Sequence, residues 1–353
     1  AEFACQLASR LPENVHLILA SRNDFLPGAA ILRLGSRVCR IGVAQLRLTE
    51  PELAAYARRC GAVLRDQARF CDLCGVPLEG AVPVSRPKAQ KGGIAAGQLH
   101  TVAFRADGKV LATGNNDFGQ CDVSGWSDVV GVACGKDFTV AVRADGTALA
   151  TGNNQFGQCD LSGWTNLIAV ACGETHTVGL RADGTVLATG RDAKAQVGKW
   201  ANVTAVAAGM DHTLGLCQDG TVVAAGQGMF GTCAVDHWQD ITAIAAGHMH
   251  SLGLRKDGRL LQADGFIAPG VLDWTDLTAV AVGPYHTVAV KQDGTVVASG
   301  DIQHGQCQVE AWTNVRTVAA GERHTVALCA DGRILAVGDD SAGQCDVTEW
   351  KLW

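Results

Sequence analysis

Histidine and cysteine are the residues of this chain whose types and spacing could do chemistry. Histidines recur at His100, His176, His212, His250, His286 and His324, each followed by Thr or Ser, and His248 makes a His-x-His pair with His250. Imidazoles can hold a metal ion or serve as general bases. Fourteen cysteines include Cys71-x-x-Cys74-Gly75, two thiolates at a spacing that chelates one tetrahedral ion, with Cys60 upstream. Asp-Gly pairs run from Asp107 to Asp331. No Ser-His-Asp spacing and no separate carboxylate pair stands apart from these recurring residues.

The recurrence decides how the histidines are read. A Gly-x-x-His position falls at His100, Phe138, His176, His212, His250, His286 and His324. An Asp-Gly turn falls at Gly108, Gly146, Gly184, Gly220, Gly258, Gly294 and Gly332, and a Trp at Trp126, Trp164, Trp200, Trp238, Trp274, Trp312 and Trp350. Three landmarks in step mean an array of one supersecondary unit. A residue needed once per copy and replaced by Phe138 in one of them is a packing element, because a catalytic base needs one positioned partner. The Trp residues join copy to copy, and the Asp-Gly aspartates form turns. His248-x-His250, on one copy only, is weak evidence for metal.

One copy shows what must position these residues. Val129 to Cys134 is an apolar run ending at Gly135, and Phe138 to Arg143 alternates before Asp145-Gly146. Thr147 to Thr151 leads to Gly152, and Cys159 to Leu161 leads to Trp164. This spacing predicts four short antiparallel strands, with a type I′ hairpin at Asp-Gly. Repeated radially, the unit is a propeller blade. The expected fold is all-β: a seven-bladed β-propeller of four-stranded antiparallel blades, with a small α/β and zinc-ribbon-like N-terminal extension. Two short steps, His176 to His212 and His250 to His286, lose residues only in loops, so the seven-fold count stands.

The pattern resembles the regulator-of-chromosome-condensation repeat, over roughly Gly93 to Trp353, and the compact bacterial branch of that family. The resemblance implies a seven-bladed propeller. It brings in relatives that inhibit β-lactamases and others that act as nucleotide exchange factors through a protruding β-wedge. No copy here has room for that wedge, so exchange activity is not carried over. The family often closes its ring by completing one blade from both chain ends, which would bring Ile94 to Gly97 against the strand before Trp350.

Composition separates the two parts of the chain. Residues 1–92 hold 13 Lys/Arg and 8 Asp/Glu, a net +5, and the remainder holds 16 and 27, a net −11. An acidic propeller is a poor candidate for phosphate-backbone binding. No apolar run is long enough to span a bilayer, and Ala1-Glu2-Phe3 opens no visible secretory signal. Cys121, Cys159, Cys233, Cys307 and Cys345 share one repeat position, on blades too far apart for a bridge, whose Cα limit is about 7 Å. Cys134 and Cys172 read as small buried residues. Thiols without pairing logic point to a reducing, cytoplasmic setting.

Residues 1–59 resemble an internal slice of the large ATP-dependent LuxR-type regulators. The likeness rests on Leu11 to Arg22, read as a helix end, a turn and a buried strand ending in Ala20-Ser21-Arg22, and on a capping box at Thr49-Glu50-Pro51-Glu52 that opens a helix from about Glu50 to Arg59. No Gly-x-x-x-x-Gly-Lys-[Ser/Thr] loop exists in the chain, so no phosphate cradle forms and the slice reads as a remnant. Residues 60–80 look like half of a bacterial zinc ribbon whose first Cys is Ala57. Cys60, Cys71 and Cys74 offer three thiolates where structural zinc takes four ligands. Either Cys39, Cys5 or His16 supplies the fourth ligand or the ribbon has lost its metal. Residues 81–92, rich in Pro, Lys and Gly, form a tether to the propeller at 93–353. No cofactor is expected for the propeller.

Strand alternation puts the Gly-x-x-His loops and the loops after the third strand on one rim, and the Asp-Gly turns on the other. The Asp-Gly turns are monotonous. The first rim varies: Gln98-Leu99, Lys136-Asp137, Glu174-Thr175, Met210-Asp211, His248-Met249, Pro284-Tyr285 and Glu322-Arg323 all differ. Aromatic residues, Met and Arg favour interface cores, which makes Met249, Tyr285, Arg323, Phe118, Phe156, Phe230, Phe266, His248 and His304 the expected partner contacts. Phe118 and Phe156 recur at one loop position, so packing of the rim explains them equally well. The expected function is a non-enzymatic scaffold, a monomeric ring binding a protein partner of unknown identity without a membrane. Two alternatives stand beside it: a propeller that caps and inhibits an enzyme, and a regulator whose basic head contacts nucleic acid.

Overall fold

The computed structural model describes residues 17–18, 29–34, 37–42, 92–191, 197–228, 231–264 and 269–353. The chain divides into two compact units, 1–83 and 84–353. In the first, β1 (Leu17–Ile18) pairs antiparallel with β2 (Ala29–Leu34), and β2 with β3 (Arg37–Gly42), in the order β1-β2-β3. The helix expected over 50–59 and the ribbon at 60–80 lie outside the described residues.

In the second unit, short apolar runs cut by Gly and Asp-Gly give three strands per copy. Blade 1 holds β4 (Gly92–Ala96), β5 (His100–Arg105) and β6 (Val110–Gly114), and blade 2 holds β7 (Val129–Cys134), β8 (Phe138–Arg143) and β9 (Ala148–Gly152). Blade 3 holds β10 (Leu167–Cys172), β11 (His176–Arg181) and β12 (Val186–Gly190), and blade 4 holds β13 (Val203–Ala208), β14 (His212–Cys217) and β15 (Val222–Gly226). Blade 5 holds β16 (Ile241–Ala246), β17 (Ser251–Arg255) and β18 (Leu260–Gln262). Blade 6 holds β19 (Leu277–Val282), β20 (His286–Lys291) and β21 (Val296–Gly300), and blade 7 holds β22 (Val315–Ala320), β23 (His324–Cys329) and β24 (Ile334–Gly338). Each blade is an antiparallel meander with its second strand in the middle. First strands meet in turn, β4 with β7, β7 with β10 and onward to β22, which returns to β4. They line the axis, and the ring is closed.

The blades are three-stranded, which corrects the expectation of four. The segment expected as the fourth strand bonds to itself: Asp122 N–H donates to the Gly119 carbonyl, Val123 to Cys121, and Trp126 to Val123. With its amides spent on local turns, it has none left for a ladder. The hairpin expectation also changes. At Asp107-Gly108 the glycine has positive φ (78°) and Asp107 does not, and Arg105 N–H reaches the Lys109 carbonyl. This is a three-residue loop with a left-handed glycine rather than a two-residue type I′ turn.

Apolar side chains are buried between blades, not within them. Val102 and Phe104 of blade 1 pack with Val123, Trp126 and Val129 against Ala141 of blade 2. Trp238 is fully buried, and a Cβ added at Gly253 of the next blade would stand 2.8 Å from its ring. The small residue on each second strand is therefore the seat of the preceding Trp. Asp128, Asn166, Asn202, Asp240, Asp276 and Asn314, which enter each new first strand, hold φ between 57° and 62°. Asp and Asn tolerate that left-handed conformation best among residues with a side chain.

Both ends of the propeller meet at the closure, as the family pattern implies, but not through the contact expected of Ile94 to Gly97. β4 pairs with β5 of its own blade instead of joining a strand from the chain end. The tail does the joining: Leu352 N–H donates to the Gly332 carbonyl, and Ala106 N–H donates to the Leu352 carbonyl. Leu352, 1% exposed, packs with Val326, Leu328 and Ile334 of blade 7 and Ala103 of blade 1.

Candidate functional site

Beneath the Gly-x-x-His rim lies a ring of side-chain bonds from blade to blade. His100 Nε2 is 3.1 Å from the Thr139 hydroxyl of the next blade, and that hydroxyl donates to the Gln120 carbonyl at 2.7 Å. Its one hydrogen being used, Thr139 accepts from the ring, so Nε2 carries the proton and Nδ1 is bare. The same link joins His176 to Thr213, His212 to Ser251, His250 to Thr287 and His286 to Thr325, and His324 to Thr101 across the closure. Phe138 leaves the one gap. Each ring lies over the repeat Gly: a Cβ at Gly97 would come 2.1 Å from His100. Burial lowers the pKa of His100, His176, His212, His250 and His286 to about 4 and that of His324 to about 3. These imidazoles are neutral and occupied, joints of the ring rather than bases.

The residue directly after each repeat Gly faces the axis. Gln98, Lys136, Glu174, Met210, His248, Pro284 and Glu322, one per blade, surround a mouth of about 300 Å³. The Glu174 carboxylate spans it, 2.9 Å from Lys136 Nζ and 3.3 Å from His248 Nε2. Burial pushes Glu174 up, but the bonds and charges of Lys136 and His248 carry its pKa below the ordinary value. The bond to Glu174 raises Lys136. Across the mouth, Gln98 donates to Glu322, which also pairs with Arg323 at 3.5 Å. Asp137 is raised, first by burial and then by Glu174, Asp117 and Glu322, against the lowering charge of Lys136.

The two loop sets share this rim, as expected: Asn153 N–H donates to Asp137 O, Asp301 to Tyr285 O, and Asp339 to Arg323 O. Charge is unequal between the rims. Among the described residues, the Gly-x-x-His rim carries Asp117, Asp122, Asp137, Asp160, Glu174, Asp211, Asp264, Asp301, Glu322, Asp339, Asp340 and Asp346 against Lys136, Arg191 and Arg323. On the Asp-Gly rim each turn aspartate has Arg or Lys beside it in most blades, as in Arg105-Ala106-Asp107-Gly108-Lys109.

The expected contact residues fall into separate groups. His248 and Tyr285 meet edge to face, with ring centroids 6.4 Å apart. Met249 and Tyr285 line a carbon-walled cavity of about 320 Å³ between blades 5 and 6, with Pro269 and Pro284. Arg323 stands apart from them beside Glu322. His304 is exposed, near Asp339. Phe118 and Phe156 are exposed on other blades, and Arg191 sits over the Phe156 ring at 5.5 Å. Phe230 and Phe266 lie outside the described residues, as do Cys60, Cys71 and Cys74. The residues of the mouth not picked out from sequence are Gln98, Lys136, Glu174, Met210, Pro284 and Glu322. Their signal was available: they occupy a position of the repeat that takes six residue types over seven copies.

The thiols at the shared repeat position are structural. Cys121 Sγ lies 3.4 Å from the Asn115 carbonyl, and burial raises its pKa to about 11, as it does for Cys159 and Cys307. The described cysteines are free.

With this geometry in place, comparison with known proteins is informative. The regulator of chromosome condensation (RCC1) repeat matches the chain at residues 93–120, 129–158, 167–196, 277–306 and 315–344. Comparison with curated proteins finds no match. Among solved structures, the chain is similar to the CRINKLY WD40 ectodomain of the Arabidopsis thaliana receptor kinase ACR4. The identity is 19%, over 70% of this chain and 94% of that one, with a TM-score of 0.60. It is similar to yeast RCC1 (Prp20) in its crystal structure with Kap60, at 19% identity over 72% and 81% and a TM-score of 0.56. The ectodomain of the Physcomitrella patens receptor kinase CR4 gives 17% identity over 70% and 73% and a TM-score of 0.57. At such identities the likeness is one of fold. Blades 4 and 5, which bring Met210 and His248 to the mouth, lie outside the repeat matches. Five of the seven blades thus match the RCC1 repeat, on a chain similar in fold to yeast RCC1.

Proposed function

We propose that the protein is a non-catalytic scaffold that binds a partner protein over the mouth of its Gly-x-x-His rim. One observation carries this reading. Within a single molecule that repeats its turns, Trp seats and His–Thr links nearly unchanged, the residue facing the axis is of six types over seven blades, with only Glu recurring, at Glu174 and Glu322. A position that only supported the ring would repeat as the rest does. The mixed mouth of carboxylates, one Lys, Met210 and the His248–Tyr285 pair suits multipoint recognition, in which a few central residues carry most of the binding. Yeast RCC1, which shares the fold, is bound by Kap60 in its crystal structure. The buried histidines support a non-catalytic reading, because their Nε2 hydrogens are committed to the next blade.

The test is co-precipitation from lysate with the full chain beside two triple variants. Lys136→Ala/Glu174→Ala/His248→Ala should lose the partner, while Arg105→Ala/Arg143→Ala/Lys291→Ala on the opposite rim should retain it. The reverse pattern would move the contact to the Asp-Gly rim.

A further inference from the structure

Blade 6 departs from a loop bond that blades 1, 2 and 7 share. After the third strand, Asn116, Asn154 and Asp340 occupy one position. Each side-chain Oδ1 accepts the N–H of the cysteine five residues on: Cys121, Cys159 and Cys345, all at 2.8 Å. Asn116 and Asn154 also donate to Asp122 and Asp160. Blade 6 has Ile302 there, with no oxygen to offer Cys307. Ile302 is 71% exposed, the most exposed of the large apolar side chains described. The loop has given up a side-chain bond for a hydrophobe in water. Such departures from local consistency mark functional positions.

The surroundings of Ile302 say what it is for. Its neighbour Asp301 donates its N–H to the Tyr285 carbonyl at 2.9 Å, so Ile302 and Tyr285, itself 46% exposed, stand on adjoining loops. Tyr285 forms one wall of the 320 Å³ cavity whose other walls include Met249, Pro269 and Pro284. An apolar ledge beside a carbon-lined hollow is what a buried anchor side chain needs. The same rim carries Asp301, Asp339 and the mouth carboxylates Glu174 and Glu322, with Lys136 and Arg323 as the cations beside the last two. Like charge repels like charge across an interface, so the occupant that complements this surface is basic.

We propose that blades 5 and 6 hold the anchor of the interface: a site for a segment of the partner protein that places one large apolar side chain in the Met249–Pro269–Tyr285 hollow, against Ile302, and an adjacent Arg or Lys toward the mouth carboxylates. The inference rests on the rim reading above and names the chemistry of its partner. Neither nucleic acid nor an anionic membrane fits, because both would meet carboxylates.

The test uses the full chain and a phage-displayed random dodecapeptide library, with the selected peptides synthesised and their binding measured by fluorescence anisotropy. Enriched peptides should pair an aromatic or branched apolar residue with a nearby Arg or Lys. Their affinity should fall tenfold or more in Tyr285→Ala and in Ile302→Asn. Ile302→Asn keeps the test clean because it restores the residue of blades 1 and 2, so its melting temperature should equal or exceed that of the parent. Acidic peptides, no enrichment, or peptides that bind Ile302→Asn as well as the parent would each overturn the anchor. If Ile302→Asn still retains the co-precipitated partner and the mouth triple variant does not, the rim reading stands and the anchor fails.

Discussion

The two rims of the ring are made by the same seven copies and have opposite characters. On the Asp-Gly rim every turn repeats one solution: a left-handed glycine, an aspartate accepting the N–H two residues on, and a carbonyl receiving the next blade, as in Gly108 and Val129. On the Gly-x-x-His rim the repeat stops at the buried His–Thr layer, and the residues above it differ blade by blade. A rim whose sequence is set by turn geometry has nothing left to vary. A rim whose loops stand on a locked layer can vary freely, because the layer holds their ends. Recognition is therefore expected where the fold has stopped dictating sequence.

Acidification should separate the rims most strongly. The six histidines have folded-state pKa values of about 4, or 3 for His324, below the ordinary 6.5. As pH falls below 6.5 the unfolded chain takes up protons that the folded ring refuses, so stability drops between pH 6.5 and 4. Each ring costs on the order of 1–2 kcal/mol at pH 5. The turn carboxylates Asp145, Asp219 and Asp293 are lowered chiefly by bonds from the Thr two residues on. Their contribution is intact above the ordinary carboxylate value and fades only at lower pH. Urea midpoints at pH 7.5, 6 and 5 should fall steeply; a flat profile would mean that the histidine layer opens readily.

Gly135→Ala should come next. Its Cβ would stand 2.0 Å from the Phe138 ring, whereas a Cβ at Gly131, within the preceding strand β7, meets nothing within 4 Å. Overpacking of this kind costs about 1–3 kcal/mol. Thermal melts should show a clear loss for Gly135→Ala and almost none for Gly131→Ala, and equal effects would contradict the tight seating of ring on glycine.

Thr139→Val removes the acceptor for His100 and the donor to Gln120, for a loss of about 1–3 kcal/mol, since buried partners are left unpaired. The smallest effect belongs to the opposite rim. Asp128→Asn, at φ 59°, installs the residue found at Asn166, Asn202 and Asn314 and should stay within about 0.5 kcal/mol of the parent. A larger loss there would show that the Asp-Gly rim is less tolerant than its repetition implies.

Much of the fold was legible because its landmarks are steric demands that recur. Gly97 must lie under His100, Gly253 must seat Trp238, and Gly108 must turn left-handed, so each copy shows them. The fourth strand was overcalled because Cys159 to Leu161 has strand-like residues, while its amides turn back to Gly157 and Cys159, which the residue types do not reveal. The site was half legible. Variation singled out one rim, and on it Tyr285, Met249 and His248 converge. The preference for aromatic residues and Arg passed over Glu174 and Lys136, whose inward direction depends on the loop. Ile302 was readable by alignment of the copies alone, as the one apolar residue where Asn116, Asn154 and Asp340 stand.

The most direct measurement is photo-crosslinking from each rim. A benzophenone amino acid placed at Met210, in the mouth, and another at Thr147, beside an Asp-Gly turn, would be irradiated in the full chain within lysate. A discrete adduct from position 210, competed by unlabelled parent and missing from position 147, is the predicted result. An adduct from position 147 alone would place the partner on the opposite rim and contradict the account.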